Sequence, residues 1–297
     1  MSRALVIGGG FGGMAAALRA RKKGYDVTLI ERCASLGGRA QVFTDQGFRF
    51  DAGPTVITAP FLFEELFELF GKRLEDYVEM VALDIWYQFY FQDGRTFDYG
   101  TDMSATLASI RGFNERDVQG YQNLLKTSKE IFEIGFEQLA DRPFHQFSTM
   151  AAQIPALLRL KSYRSVWQMV CAHIEDDSLR QAFSIPPLLV GGNPFRTTSI
   201  YGLIPWLERK WGVHFPMGGT GALVAALEKL MRDVGITIET GTTVKRILSE
   251  HGRANGVELE SGEKLPASVV ISNADAAHLY THCLLYTSDA ADEGLGV

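Results

Sequence analysis

The chain has 297 residues, of which 46% are hydrophobic and 22% are charged, a balance that is typical of a globular protein with a large buried core. Its formal net charge is −6, which argues against a nucleic-acid-binding domain because such domains are usually strongly basic. The cysteines are scattered, at Cys33, Cys171 and Cys283, so we predict neither a disulfide framework nor a metal site and expect a cytoplasmic location. No apolar run approaches the roughly 20 residues of a membrane-spanning helix, so any contact with a membrane is expected to be peripheral.

The first predicted elements are a strand, a glycine-rich turn, a helix and a second strand. Residues 4–7 are a continuous apolar run that is typical of a buried parallel strand, and an alanine-rich helix is predicted over residues 14–23. The turn between them, GGGFGG at residues 8–13, satisfies GxGxxG at Gly8, Gly10 and Gly13, and Gly12 is a further candidate for contact with the nucleotide. The second strand covers residues 26–31 and ends in Glu31, 18 residues after Gly13.

This order of elements predicts a dinucleotide-binding βαβ unit. Gly8 permits a tight turn, Gly10 lets the backbone approach a pyrophosphate, and Gly13 lets the helix pack closely against the strand. The N-terminus of the helix then faces the phosphate charge, and Glu31 is placed to accept hydrogen bonds from ribose hydroxyls. A glycine-rich turn without a ligand is the alternative, but the complete βαβ context favours a nucleotide site.

The residues that follow the second strand resemble a segment of certain flavoproteins. Arg32 is followed by Gly37, Gly38 and Arg39, a GGR segment similar to that of the amine oxidase and phytoene desaturase superfamily. The resemblance implies that FAD is the cofactor, with the paired glycines folding over its pyrophosphate and Arg39 offsetting phosphate charge. A solvated loop arginine is the alternative interpretation of Arg39.

A second segment, residues 47–55, resembles the GF-x-FD-x-GPT motif of bacterial-type carotenoid desaturases. The resemblance implies that Gly53, Pro54 and Thr55 lie beside the flavin ring, where only small groups and backbone fit. The same residues would also make a strand that ends in a Gly-Pro turn, so that alternative stays open.

Further motifs extend the resemblance from residue 4 to about residue 282. The most specific are LLVGGNPF at 188–195, FPMGGTGAL at 215–223 and SNAD at 272–275, which are similar to segments of the bacterial-type phytoene desaturase family. Residues 198–201, TSIY, replace an SSIY-like segment, which is a small departure. The resemblance implies an α/β fold, in which an FAD-binding, Rossmann-like (amine oxidase-like) domain carries an inserted, mainly helical domain that binds substrate and membrane.

The remaining pattern agrees with this plan. We predict a helix over 61–70, a hairpin over 86–91 and 96–99, mainly helical structure over 103–211, and a helix over 221–234 with Thr220 as its N-cap. Short strands follow at 237–239, 244–249, 256–260 and 268–272. The resemblance implies that these strands rejoin the first sheet and that Val244 makes backbone contacts to adenine. The predicted domains are 1–100 and 216–282 for FAD and 101–215 for substrate and membrane.

Residues 147–170 combine an apolar face with Arg159, Lys161 and Arg164 and contain no acidic residue, which is typical of a helix that lies on an anionic membrane surface. A core helix with a solvated basic edge explains the same pattern equally well. The implied substrate, a long carotenoid hydrocarbon that resides in the bilayer, favours the membrane surface as a partner.

The last residues, 283–297, match no part of the family. They resemble a translated sequencing adapter, and we predict that they are a non-native assembly artefact; a genuine divergent terminus is the alternative. The family pattern continues beyond this point with a second glycine-rich flavin-binding segment. The 297-residue chain by itself is therefore expected to bind FAD poorly and to be inactive.

The resemblance implies FAD-dependent desaturation of phytoene to more conjugated carotenes such as neurosporene and lycopene. Desaturation transfers a hydride to the flavin and releases a proton, and a quinone or oxygen then reoxidises the flavin. Because the cofactor supplies most of this chemistry, no catalytic side chain is predicted.

Two alternatives to this function remain. One is a related carotenoid desaturase or carotene isomerase. The other belongs to a different class, a non-catalytic lipid-binding or prenyl-binding escort of the same fold, such as Rab GDP-dissociation inhibitor. The intact glycine pattern, Glu31 and the GGR segment argue against the escort, which has no need of flavin contacts.

Overall fold

The structure, a computed structural model, describes residues 2–138, 154–155 and 158–284. The strands are β1 (Arg3–Ile7), β2 (Asp26–Ile30), β3 (Val42–Asp45), β4 (Phe48–Asp51), β5 (Met80–Ala82), β6 (Ile85–Tyr90), β7 (Thr96–Gly100), β8 (His214–Pro216), β9 (Thr237–Glu239), β10 (Val244–Glu250), β11 (Arg253–Leu259), β12 (Lys264–Pro266) and β13 (Val269–Ser272). The α-helices are α1 (Phe11–Lys22), α2 (Phe61–Glu68), α3 (Met103–Phe113), α4 (Glu115–Phe132), α5 (Val166–Cys171), α6 (Asp177–Phe183), α7 (Ile204–Trp211), α8 (Thr220–Asp233) and α9 (Ala276–His278). The chain divides into two compact units, residues 1–81 with 215–297, and residues 82–214.

The first unit is built on a four-stranded parallel sheet of order β13-β1-β2-β9. In the centre of this sheet Leu5 lies opposite Thr28 of β2 and Val270 of β13. The residues from Ala4 to Val6 are completely buried, as the continuous apolar run predicts for a strand covered on both faces.

Helices α1 and α8 contribute most of the apolar core on one face of this sheet. Met14 and Leu18 of α1 and Leu227 and Leu230 of α8 are completely buried in one cluster, which also includes residues of β1 and β2. The predicted α/β architecture with a parallel sheet is therefore confirmed for this unit.

The prediction that all four later strands rejoin the first sheet is wrong. Only β9 and β13 do so, whereas β10, β11 and the unpredicted β12 form a separate antiparallel sheet. The physical reason is the length of the connections. Short turns at Gly252 and Gly262, both with positive φ, return the chain directly alongside the strand that it has just left, so the paired strands are antiparallel. A parallel pair would need a much longer crossover connection.

Both core helices begin earlier than predicted. Helix α1 begins at Phe11, so that Gly12 and Gly13 lie in its first turn. Helix α8 begins at Thr220, the residue predicted as its N-cap, and Gly219 occupies the capping position instead. The Thr220 hydroxyl donates its hydrogen bond to the Pro54 carbonyl oxygen and is therefore not free to cap the helix.

The second unit combines the hairpin β6–β7 with helices α3 to α7. The hairpin is confirmed, and its strands belong to the unit of residues 82–214, whereas the predicted boundary lies after residue 100. Its rings belong to the core of the second unit. Phe97 packs edge-on against Phe183 of α6, with ring centroids 5.6 Å apart, and Tyr99 packs against Tyr121 of α4 at 6.2 Å.

The predicted helix over residues 147–170 lies partly outside the described residues. In its described part the chain turns at Lys161, which has a φ of +54°, and α5 begins only after Ser165. The Ser165 hydroxyl accepts a hydrogen bond from the Gln168 N–H in a capping box, so this segment is not one continuous helix. Among the described helices, none has the length and apolar character needed to cross a bilayer. Of the predicted artefactual tail, only Cys283 and Leu284 are described.

Candidate nucleotide-binding site

The predicted glycine turn lies at the carboxyl ends of β1 and β2. Gly8 adopts a φ of +95°, which favours glycine, and its N–H donates to the Ile30 carbonyl at 2.8 Å. A Cβ atom added at Gly13 would overlap the Gly8 carbonyl oxygen. The first turn of α1 therefore packs directly on the glycine turn, and its N-terminus lies at the carboxyl ends of the two strands, where its free N–H groups can bind an anion.

Glu31 follows β2 and is buried against this turn. One carboxylate oxygen accepts the Gly9 N–H at 2.6 Å and the other accepts the Cys33 N–H at 2.9 Å. Each carboxylate oxygen has two lone pairs, so an acceptor position remains on each for a ligand hydroxyl. Glu31 therefore positions the loop, a role that the sequence did not predict.

The GGR segment lies against the same turn. The Gly37 N–H donates to the Gly9 carbonyl at 2.9 Å, and a Cβ added at Gly38 would lie 3.0 Å from the Cα of Gly10. Gly37 and Gly38 have φ values of +121° and +56°, so the chain reverses here in a conformation that side chains disfavour. Arg39 is exposed and makes no hydrogen bond or ion pair within the described part of the chain, and the same is true of Arg32.

The third predicted segment, Gly53 to Thr55, is brought against the second. A Cβ added at Gly53 would overlap the Arg39 carbonyl oxygen, so the two backbones are in direct contact. The Pro54 carbonyl accepts the hydroxyl hydrogen bond of Thr220 at the start of α8. Gly53, Pro54 and Thr55 are all exposed. Three segments that are distant in sequence thus form one continuous surface of small residues and backbone.

Val244 lies at the start of β10, close in sequence to residues that bond to the Glu31 loop. The Thr242 N–H donates to the Glu31 carbonyl at 3.0 Å, and the Gly241 N–H donates to the Cys33 carbonyl at 2.8 Å. The Val244 side chain packs on a small apolar cluster that includes Ile30. The structure therefore brings Val244 to the same end of β2 as Glu31.

The sequence did not place Asn273 in the site, although it belongs to the SNAD motif. Its backbone N–H donates to the Ile7 carbonyl at 2.8 Å, which continues the pairing of β13 with β1. Its side chain covers the first turn of α1, and a Cβ added at Gly12 would lie 2.5 Å from the Asn273 Oδ1 atom. The available signal was its position directly after a strand, which becomes informative only once β13 is known to pair with β1.

The arrangement fits a dinucleotide. The glycine turn presents backbone without side chains at a helix N-terminus, an acid lies at the end of the second strand, and two unpaired arginines are exposed nearby. Among the described residues, no group of three or more His, Cys, Asp or Glu side chains is arranged to hold a metal ion. These features define a Rossmann-like dinucleotide-binding protein.

Comparison with known families identifies the kind of nucleotide. The chain belongs to the family of flavin containing amine oxidoreductases, whose family model matches residues 11–289. Membership of a flavin-dependent family confirms both the predicted FAD cofactor and the predicted amine oxidase-like fold. The roles of individual residues toward the flavin remain predictions.

Individual relatives agree with this assignment. The chain is 46% identical over 284 residues to a lycopene-forming phytoene desaturase of Pantoea ananas, covering 96% of this chain and 58% of the relative. A neurosporene-forming phytoene desaturase of Cereibacter sphaeroides is 39% identical over 282 residues, covering 95% and 54%. Among solved structures, an oxidoreductase from Methanosarcina mazei has a TM-score of 0.67 at 20% identity, covering 98% of this chain and 63% of that one, and so supports the fold alone. The chain thus spans a little over half the length of these curated relatives.

Proposed function

We propose that this chain is part of an FAD-dependent desaturase that converts phytoene to more conjugated carotenes such as neurosporene or lycopene. The observation that carries the proposal is the 46% identity over 96% of the chain to a lycopene-forming phytoene desaturase. The site geometry supports it because the surface formed by the glycine turn, the GGR segment and residues 53–55 is continuous. A related carotenoid desaturase or isomerase is the second candidate, and it would use the same surface.

The residues of this surface divide the work of holding FAD. The glycine turn and the N-terminus of α1 receive the pyrophosphate, and Glu31 accepts hydrogen bonds from the adenosine ribose. Arg39 and Arg32 offset the phosphate charge, while Val244 contributes backbone contacts to adenine. Gly53 to Thr55 supply a surface without bulky side chains for the isoalloxazine ring. When bound, the flavin supplies a hydride acceptor, and the protein supplies orientation and an apolar environment.

The test of the activity is conversion of phytoene by purified protein supplied with FAD. A protein of the full length of the relatives should form a product that absorbs at longer wavelength, because each desaturation extends the polyene. The 297-residue chain alone should form none. Phytoene left unchanged by the longer protein, with FAD bound, would refute the proposed substrate, and turnover by the 297-residue chain would refute the expected inactivity.

Replacing Arg39 by glutamine should weaken FAD binding to the chain by about tenfold, because an exposed guanidinium that pairs with phosphate contributes roughly 1 kcal/mol or more. The matched control is Arg73→Gln, which removes an equally exposed charge of the same unit from a surface pair with Glu75. Quenching of flavin fluorescence measures both affinities. If the two variants bind FAD equally well, Arg39 does not contact the phosphates.

We further propose that a quinone or oxygen accepts the electrons of the reduced flavin. We also propose that the second unit binds to an anionic membrane surface. Tyr163 is 72% exposed and Phe195 62% exposed. Their loops lie side by side, because the Trp167 N–H donates to the Pro194 carbonyl at 3.1 Å. Near these rings in sequence stand the exposed cations Arg159, Lys161 and Arg196, the charge that binding to anionic lipid requires. Flotation with lipid vesicles tests the membrane contact. Binding should require anionic lipid and should decrease in the Phe195→Ser variant. Equal flotation of the unchanged protein and the variant would contradict the proposed contact.

A further inference from the structure

A buried carboxyl group lines a small cavity inside the second unit. Glu208 of α7 is only 2% exposed, although its side chain is ionisable. The cavity beside it has a volume of about 20 Å³, and most of its wall is apolar, formed by residues such as Phe89, Phe183, Ile185 and Pro205. A space of this size holds one water molecule. None of the functions proposed above involves this carboxyl group.

The Glu208 carboxyl group has few hydrogen-bond donors around it. The Tyr87 hydroxyl of β6 donates to one oxygen, Oε1, at 2.7 Å, and no other described residue donates to either oxygen. A carboxylate has acceptor sites for about four hydrogen bonds, so most of them remain unused here. Because Glu208 itself lines the cavity, a water molecule there can reach the unused sites.

The neighbouring cation does not form an ion pair with this carboxyl group. The Arg209 guanidinium donates instead to the Tyr121 hydroxyl at 3.0 Å and to the Thr106 hydroxyl at 3.1 Å, and it also bonds to the Gly100 carbonyl. An ionised Glu208 would therefore be a buried charge without a hydrogen-bonded cation, an arrangement that favours the protonated acid.

The charged or titratable groups around Glu208 are Tyr87 of β6, Tyr99 of β7, Tyr121 of α4 and Arg209 of α7. The three tyrosines are neutral because burial raises the pKa of each. Burial also raises the pKa of Glu208 to about 7, which outweighs the lowering by the Tyr87 hydrogen bond and by the Arg209 charge. Glu208 is therefore the group of this cluster that changes its charge near neutral pH.

We propose that the cavity holds one water molecule on the Glu208 carboxyl group and that loss of the Glu208 proton makes this cluster a pH switch that loosens the second unit. In the acid form the carboxyl group accepts from Tyr87 and donates its own proton to the water, without any charge. In the ionised form the same two neighbours must stabilise a full charge in apolar surroundings, which costs free energy. Bulk water has a route to the cavity because Leu189, which lines it, is 52% exposed.

The direction of the pH effect follows from the two pKa values of Glu208. Its pKa is about 7 in the folded unit and has the ordinary value of 4.5 in an unfolded chain, so the folded state binds the proton more tightly. The stability that this proton contributes is complete below about pH 4.5 and is lost as the pH rises to about 7. Above that pH both states are ionised, and this group causes no further change.

Hydrogen exchange of the β6–β7 amides in the purified chain tests the switch between about pH 5 and about pH 8. Protection, corrected for the intrinsic effect of pH on exchange, should fall by up to about tenfold per pH unit until about pH 7, the limit for one proton. Glu208→Gln should abolish this decline. The matched control is Glu115→Gln, which removes an exposed carboxyl group of the same unit and should keep the decline. A decline of equal size in Glu208→Gln would overturn the switch.

Two further variants test the donors to the carboxyl group. Ala182→Val adds two methyl groups to the cavity wall and should displace the water, and Tyr87→Phe removes the hydroxyl. Each loss of a donor should move the midpoint of the Glu208 titration upward by about one pH unit. Ala172→Val, at an exposed position of the same unit, should leave the midpoint unchanged.

Infrared spectroscopy measures this midpoint from the band of the protonated carboxyl group, which Glu208→Gln lacks. If circular dichroism shows that Ala182→Val does not fold, Ala182→Cys makes a smaller addition at the same place. An unchanged midpoint in the Ala182 variant would overturn the water site. A midpoint near the ordinary value of 4.5 in the unchanged chain would overturn the switch.

Discussion

Replacing Gly13 by alanine is expected to destabilise the first unit by about 3 kcal/mol or more, the upper range for overpacking of a close contact. The added Cβ would overlap the Gly8 carbonyl oxygen, and a backbone atom in the middle of a tight turn cannot rotate away. Helix α1 would have to move away from β1, which separates the completely buried Met14 and Leu18 from their partners. Denaturant-induced unfolding, followed by circular dichroism, measures the loss.

Gly12→Ala is the matched control for this prediction. It adds the same methyl group in the same turn, but the atom that it meets is the Asn273 Oδ1 at the tip of a side chain. That side chain can rotate, so we expect a loss of about 1 kcal/mol or less. Equal losses in the two variants would show that the close approach of α1 to the Gly8 carbonyl does not limit stability.

Arg209→Ala is expected to destabilise the second unit by about 3 kcal/mol. The guanidinium donates to the Tyr121 hydroxyl at 3.0 Å, to the Thr106 hydroxyl at 3.1 Å and to the Gly100 carbonyl. It also lies over the ring of Tyr99, 4.7 Å from the centroid. Alanine would leave the buried hydroxyls of Tyr121 and Thr106 without this donor and would remove the contact with the Tyr99 ring. Lysine should recover less than half of the loss, because one ammonium group cannot reproduce the planar fork.

Arg111→Ala provides the corresponding control. Arg111, at the end of α3, forms an exposed pair with Glu115 at the start of α4, and such surface pairs contribute at most about 1 kcal/mol. Thermal and denaturant unfolding of the two alanine variants should therefore differ clearly. A loss at Arg209 as small as that at Arg111 would mean that water replaces the guanidinium without cost.

The parts of the site that the sequence predicted are those whose constraints are local. The glycine positions, Glu31 and the GGR segment each have a reason within a few dozen residues, and the structure brings them together. Asn273 and the contact of Gly53 with the Arg39 carbonyl depend on which distant segments become neighbours. The hydrophobic periodicity of a segment does not specify which distant segment it packs against, and neither does a short sequence motif.

The errors in the predicted fold have the same origin. Residues 86–91 and 96–99 were correctly predicted to form a hairpin, yet the unit to which it belongs is decided by rings such as Phe97 and Tyr99, which pack on helices later in the chain. Strands β10 and β11 were also predicted as strands, but short turns direct them, together with the unpredicted β12, into a sheet of their own. The strands themselves were therefore predicted better than the strands and helices with which they pair or pack.

The pairing of β1 with β13 also sets the order of events during synthesis. β1 leaves the ribosome first, but one of its two neighbours, and the Asn273 side chain that covers the glycine turn, is translated only after more than 250 further residues. Closing so long a loop is slow compared with forming the local β1–α1–β2 unit. A nascent chain can therefore form the glycine turn early, but one side of it remains open to water until β13 has been made. The glycine turn is therefore covered on both sides only late in synthesis.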